Sequence, residues 1–292
     1  MFKILLPWII AFRIKTLPAA ISPVLVGTAL AYKISNDFNL VIFLSILSAS
    51  IFIQIGTNLS NDLSDFLNGA DTGDRLGPIR VAQSGLLTID KLKLGIIISF
   101  SLAILFGFYL VSVGGNIIML IGLLSIISGI LYTAGPYPLG YNGLGDIFVF
   151  IFFGVVAVMG TYYLNTLTIN IESLVCGIII GALSTAILIV NNIRDVKTDA
   201  ASGKNTLAVK LGLTFSKIEF LIMVLLPYIL SLYLYFLIND LGIFLSFFTL
   251  PISFNLIYQI FNKTGDKLNE VLVKTARLLF IYSLLLTIGL FL

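Results

Sequence analysis

The chain has 292 residues, of which 59% are hydrophobic and only 11% charged, and its net charge is +3. A soluble domain carries about 25% charged residues, so these proportions exclude an ordinary soluble fold and give no reason to expect a nucleic-acid partner. With no His and the single Cys176 in an apolar run, haem held by His and an internal disulfide are excluded, and a zinc site is not expected.

A hydrocarbon core about 30 Å thick takes roughly 20 apolar residues per helix. On that ruler the sequence predicts nine spans, at about 16–35, 40–60, 93–113, 116–134, 145–164, 172–192, 216–237, 241–261 and 272–291. The fold class expected is all-α: one polytopic domain, 1–292, with nine membrane helices in a single bundle around a central cavity. Pro18, Pro23, Pro227 and Pro251 fall in the first, seventh and eighth spans, where neighbouring helices can satisfy the freed carbonyls. The apolar runs do not alternate, which excludes a β-barrel. No short apolar run with a small-residue cleavage site precedes the first span, so no removable signal peptide is expected.

The basic residues orient this topology. Lys3, Arg13 and Lys15 precede or open the first span. Arg75, Arg80, Lys91 and Lys93 lie between spans two and three. Arg194, Lys197, Lys204, Lys210 and Lys217 lie between six and seven, and Lys263, Lys267, Lys274 and Arg277 follow eight. With nine spans, sixteen of the seventeen Lys and Arg residues share one side, and only Lys33 falls on the other. The positive-inside rule then puts the N-terminus in the cytoplasm and the C-terminus outside.

Two cytoplasmic connections are polar islands. The first runs from Asn58 through Asn61, Asp62, Asp65, Asn68, Asp71 and Asp74 to Arg75 and Arg80; the second runs from Asn191 and Asn192 through Arg194, Asp195, Lys197 and Asp199 to Lys204 and Asn205. Each begins where a span ends, and each holds an Asn-x-x-x-Asp step followed by a second Asp within about one turn. If the helices continue, residues three and four apart share a face, so Asn58, Asp62 and Asp65 form one stripe and Asp195 with Asp199 another. Carboxylates gathered at a membrane boundary repel one another and need a cation. An all-oxygen donor set suits Mg²⁺, which commonly bridges carboxylates and phosphate oxygens. Interleaved Arg75, Arg80, Arg194 and Lys204 supply phosphate contacts, so the islands describe a diphosphate site. No Walker motif points to nucleotide hydrolysis. Asp90, Glu219, Asp266 and Glu270 lack this pattern and are expected on solvated faces. Lys15 suits an orientation anchor better than a ligand.

Asn61-Asp62-x-x-Asp65 and Asp195-x-x-x-Asp199 resemble the paired aspartate motifs of UbiA-type membrane prenyltransferases. Arg13-Ile-Lys15-Thr-Leu-Pro18, Gly77-Pro78-Ile-Arg80-Val, Gly135-Pro136-Tyr137-Pro138-Leu-Gly140-Tyr141, Gly143-Leu-Gly145-Asp146 and Asn191-Asn192-Ile-Arg194-Asp195, running on into Gly203-Lys204-Asn205, resemble the 1,4-dihydroxy-2-naphthoate polyprenyltransferase branch. The resemblance spans roughly residues 8–212; the last three spans match only as hydrophobic helices. The 4-hydroxybenzoate branch carries a Tyr-x-x-x-Lys step, whereas Pro136 stands four residues after Tyr132 here. Asn142 stands where many naphthoate enzymes carry His, a departure that touches an acid–base role there and not the metal motifs.

The resemblance implies an enzyme of quinone biosynthesis in the bacterial inner membrane. Mg²⁺ is held by Asp62, Asp65, Asp195 and Asp199 with Asn58 and Asn191 assisting, and binds an isoprenoid diphosphate. A dihydroxynaphthoate ring accepts the prenyl group with decarboxylation, Arg13, Lys15 or Arg80 meeting its carboxylate and Tyr132 lying near the allylic cation. No obligate protein partner is implied. Acceptors such as homogentisate, 4-hydroxybenzoate or a tetrapyrrole stay open. An ion-coupled transporter is the rival from another class. A CDP-alcohol phosphotransferase is set aside because Phe66 follows Asp65 where that family needs Gly.

Overall fold

The computed structural model describes residues 2–69 and 76–292, and among them the chain is helical with no strand. The helices are α1 (Phe2–Phe12), α2 (Pro18–Ser35), α3 (Leu40–Leu67), α4 (Ile89–Leu131), α5 (Gly145–Phe150), α6 (Ala157–Thr166), α7 (Ile171–Ala201), α8 (Leu207–Ile238), α9 (Leu250–Asn262) and α10 (Leu268–Phe291). A π-helical turn, Ile151–Val156, joins α5 to α6, and a 3₁₀ segment, Leu241–Thr249, leads into α9. Seven described stretches are long and apolar enough to cross a membrane, and the pair Leu5–Thr16 and Pro18–Ser35, bent by 50°, makes an eighth. Local chemistry sets the ends. Pro18 opens α2, the Asn39 side chain accepts from the Val41 and Ile42 N–H groups at α3, and Asn170 with Ser173 forms a capping box on α7.

Helix α4 has 43 residues, about 65 Å if straight and twice the hydrocarbon core. It is not straight. Gly115 sits at φ 68°, ψ −158°, a conformation open only to glycine. A Cβ on Gly95 would lie 3.2 Å from Leu59, while Thr133 donates to Asn61 Oδ1 at 2.9 Å. Both ends of the element therefore lie beside one stretch of α3, and the chain reverses at Gly115. The expected break between residues 113 and 116 coincides with this glycine. Nothing lies within 4 Å of an added Cβ there, so Gly115→Ala isolates backbone strain. It is expected to destabilise the protein by about 1–3 kcal/mol, read as a lower thermal midpoint in detergent.

Helix α7 is the axis of the bundle, with 78% of its most apolar window buried. Ile179, Ile180, Leu183, Ala186 and Val190 form the core against α2, α8 and α10. The π turn reaches α7 through glycines: a Cβ on Gly154 would lie 2.3 Å from Gly181 Cα. Membrane helices gain little from water exclusion between themselves, and such close backbone approach supplies dispersion contacts instead. The Tyr282 hydroxyl donates to the carbonyl of Pro227 at 3.1 Å. Tyr228 joins Thr249 and Ser253 at 2.7 and 2.6 Å.

One end of the bundle carries Lys33, paired with Asp240 at 2.5 Å. Burial pushes the Asp240 carboxyl up, but Lys33 and the Gly242 N–H outweigh it and hold the group below the usual carboxylate range. The other end carries both polar islands. There α3 continues to Leu67 and α7 to Ala201, beyond the ends at 60 and 192 set by hydrophobicity, so each island begins as a helical extension.

Candidate active site

Between α2, α3, the two arms of α4, the α5–α6 stretch and α7 lies a chamber of about 660 Å³. Its walls are apolar, from Ile46, Ala49, Ile53, Leu110, Phe148, Phe152 and Val156 among others. Arg13, Asn58, Asn61, Asp65, Arg80, Tyr132, Thr133, Asn191, Asn192 and Lys204 add polar lining contributed by both islands and their neighbours.

The first island turns its stripe inward. Asp62 is only 1% exposed and accepts from the backbone N–H groups of Val81 at 3.2 Å and Ala82 at 3.3 Å. The Gly77-Pro78-Ile-Arg80-Val segment thus folds back over α3 and presents its amides to a carboxylate. Asp65 accepts from Arg80 Nη2 and from the Tyr141 hydroxyl, both at 2.9 Å. Asn58 donates through Nδ2 to the Phe12 carbonyl at 3.1 Å and Thr16 Oγ1 at 3.3 Å, an orientation fixed by the α1–α2 elbow. Arg13 stands at that elbow with φ 50°, a left-handed conformation uncommon outside glycine.

In the second island Arg194 grips its neighbour. Its Nε and Nη2 donate to the two oxygens of Asp195 at 2.8 and 2.6 Å, its Nη2 to Asn191 Oδ1 at 2.6 Å and its Nη1 to Asn269 Oδ1 at 2.8 Å. Asn269 in turn donates to the Leu76 carbonyl at 2.8 Å, tying α10 to the first island's loop. Asp199 pairs with Lys204 at 3.8 Å, whose ammonium lies 5.4 Å from the Tyr141 ring centre.

The loop after α4 joins the halves. A Cβ on Gly140 would lie 3.0 Å from the Tyr132 ring, and one on Gly145 would lie 2.8 Å from its hydroxyl, so these glycines make room for Tyr132. The Tyr141 carbonyl accepts from the Asn205 N–H at 2.8 Å, and the Asn142 carbonyl accepts from Lys210 Nζ at 2.7 Å.

The structure therefore gathers most of the expected residues at one place but assigns them unequally. Asn58, Asp65, Asn191, Arg80, Lys204, Arg13 and Tyr132 line the chamber; Asp62, Asp195, Asp199 and Arg194 are buried just behind that lining, and Lys15 is exposed away from it. Arg75 lies outside the described residues. Tyr141, Thr133, Thr16 and Asn269 belong to the network without having been singled out. Only the Gly-Tyr motif and the polar Thr16 gave any signal. Oxygen donors alone, four of them buried carboxylates, fit a hard cation such as Mg²⁺. In the arrangement seen, Asp65, Asp195 and Asp199 each face a basic side chain, and among the described residues no three acidic groups converge as a metal cage.

The UbiA prenyltransferase family matches residues 20–284. A 1,4-dihydroxy-2-naphthoate octaprenyltransferase of Escherichia coli is 42% identical over 211 residues, covering 70% of this chain and 68% of that protein. The enzyme of that name from Mycobacterium tuberculosis is 38% identical, covering 70% of each chain. A 2-carboxy-1,4-naphthoquinone phytyltransferase of Synechocystis is 30% identical over 70% of this chain and 66% of its own. Among solved structures, a UbiA homologue from Archaeoglobus fulgidus bound to GPP and Mg²⁺ superposes with a TM-score of 0.66 at 15% identity, covering 96% of this chain and 99% of that one. By the family match and by these relatives, the chain belongs to the UbiA prenyltransferase family.

Proposed function

We propose that this prenyltransferase moves a polyprenyl or phytyl group from its diphosphate to 1,4-dihydroxy-2-naphthoate, with loss of the acceptor's carboxylate as CO₂. The observation that carries this reading is the chamber: buried carboxylates and cations at one place, opening onto an apolar space of about 660 Å³. The names of the relatives support the naphthoate acceptor, and the neighbour bound to GPP and Mg²⁺ supports the donor and the metal. Carboxylates clustered with the islands at one end of the bundle, rather than at mid-membrane, favour an enzyme over an ion-coupled transporter.

Asp62, Asp65, Asp195 and Asp199, with Asn58 and Asn191, would hold Mg²⁺, which when bound would supply charge to neutralise the departing diphosphate. Arg80 and Lys204 line the chamber and bind diphosphate oxygens, and Arg75, outside the described residues and five positions before Arg80 in sequence, is assigned to the same group. Arg194, turned to Asp195, Asn191 and Asn269, holds the second island in position instead. The allylic C–O bond breaks with its electron pair going to the diphosphate. The apolar walls keep water from the carbocation, and the Tyr132 ring, which lines the chamber, offers it an aromatic face. The electron-rich ring attacks at the carbon bearing the carboxylate, which leaves as CO₂ as the ring becomes aromatic again.

The topology belongs to the same proposal. Counting the two arms of α4 separately, beside the bent N-terminal pair, gives nine crossings of a single domain. The basic residues put the islands and the N-terminus in the cytoplasm of a bacterial inner membrane. The test offers purified protein dihydroxynaphthoate, homogentisate and 4-hydroxybenzoate against several prenyl diphosphates, with products identified by mass. Prenylated, decarboxylated naphthoquinol should dominate, and a chelator should stop its formation. Transfer only to another phenol would overturn the acceptor, and full activity in chelator would overturn the metal.

A further inference from the structure

The α3 stripe does not stop at Asn58. One helical turn deeper lies Gln54, which lines the chamber, is 7% exposed and belongs to neither island. Its Nε2 donates to Thr16 Oγ1 at 3.4 Å, and Asn58 Nδ2 donates to the same oxygen at 3.3 Å. The Thr16 hydroxyl donates its own proton to the Arg13 carbonyl at 2.9 Å. Thr16 thus has no proton left for Gln54, and the Gln54 amide is fixed with its nitrogen toward the elbow. Its Oε1 is buried and has no hydrogen-bond partner among the described residues. A buried carbonyl without a donor is costly, and native proteins rarely leave one so.

We propose that Gln54 is a positioning and specificity residue for the acceptor, its Oε1 receiving a hydrogen bond from a phenolic hydroxyl. The chemistry of the atom selects the ligand group. An amide oxygen can only accept, so it fits a hydroxyl and repels a carboxylate or diphosphate oxygen. The surroundings agree: Ala19, Ala20 and Ile53 offer apolar contact for an aromatic ring beside Gln54, while Arg13 lines the same chamber for an acidic substituent. The subsite lies on the α2–α3 wall, one helical turn from Asn58 and about two turns from Asp62, the first carboxylate of the island. A ring held there by its hydroxyl is separate from the diphosphate contacts of Arg80 and Lys204. This deepens the acceptor assignment above and rests on it.

The test compares phenols with their methyl ethers in equilibrium binding to the whole protein in detergent, so that chemical reactivity plays no part. The probes are 1,4-dihydroxy-2-naphthoate, homogentisate and 4-hydroxybenzoate, each with a partner methylated at one hydroxyl. The wild type should bind the best phenol about tenfold more tightly than its ether, the range of a satisfied buried hydrogen bond. Gln54→Leu should abolish that discrimination while leaving affinity for a prenyl diphosphate with Mg²⁺ unchanged. Thr16→Val, which frees the amide to rotate, should give an intermediate loss and guards against a Gln54 variant that fails to fold. Equal weakening of phenol and ether in Gln54→Leu, or discrimination retained, overturns the role of Gln54. Discrimination seen with another phenol but no binding of the naphthoate overturns the acceptor and leaves Gln54 standing. Binding of none of the three overturns both.

Discussion

Asp62→Asn and Asp195→Asn are each expected to lower prenyl transfer by about a hundredfold to a thousandfold, the scale of losing one preorganised electrostatic contact, without preventing membrane insertion. The two carboxylates reach that outcome differently. Asp62 holds the amides of Val81 and Ala82, so an asparagine turns one N–H donor toward another and loosens the segment that carries Arg80. Asp195 holds no such loop; its oxygens are taken by Arg194, and its replacement removes charge while leaving the backbone in place. Loss of turnover should therefore come with weaker Mg²⁺-dependent binding of prenyl diphosphate in both variants, and with easier proteolysis of residues 76–88 only in Asp62→Asn. Wild-type turnover in both would remove them from the metal site.

Arg194→Met should destabilise the protein by about 3–5 kcal/mol, the cost of stripping the partner from a buried charge, seen as a large fall in thermal midpoint. Arg194 is 3% exposed and donates to three residues from two helices. Without it the Asp195 carboxylate is left uncompensated in a dry site. The double variant Arg194→Met with Asp195→Asn discriminates charge from packing. If the ion pair dominates, the double variant recovers most of the lost stability while remaining inactive. If it unfolds as readily as the single variant, the contact with Asn269 and shape at this position matter more than charge.

Much of the architecture was readable because it depends on run length. The long apolar runs, the break set between residues 113 and 116, and the Asn-x-x-x-Asp steps all follow from neighbours in sequence. The islands were also placed together by counting spans, since even-numbered helix ends face one way. What stayed hidden depends on contacts between distant residues. Gln54 sits inside an apolar run, and its meaning comes from Thr16, 38 residues away. Asn269 lies in the charged connection before the last span, expected to be a solvated face, yet it joins Arg194 to Leu76. For Arg194, expected among the diphosphate contacts, the helical spacing did not reveal the partners it closes on: Asp195, Asn191 and Asn269.

The ion pairs have a consequence for how such a chain is made. Asp65 meets Arg80 only 15 residues on, Asp195 meets the adjacent Arg194, and Asp199 meets Lys204 within the same island. Each island thus carries its own countercharge. A nascent chain that ends before α7 already holds the means to neutralise Asp65, and the second island brings its own basic residues when it emerges. The two halves can enter the bilayer in the order of synthesis, each nearly balanced, and meet afterwards through Tyr141 and Asn205.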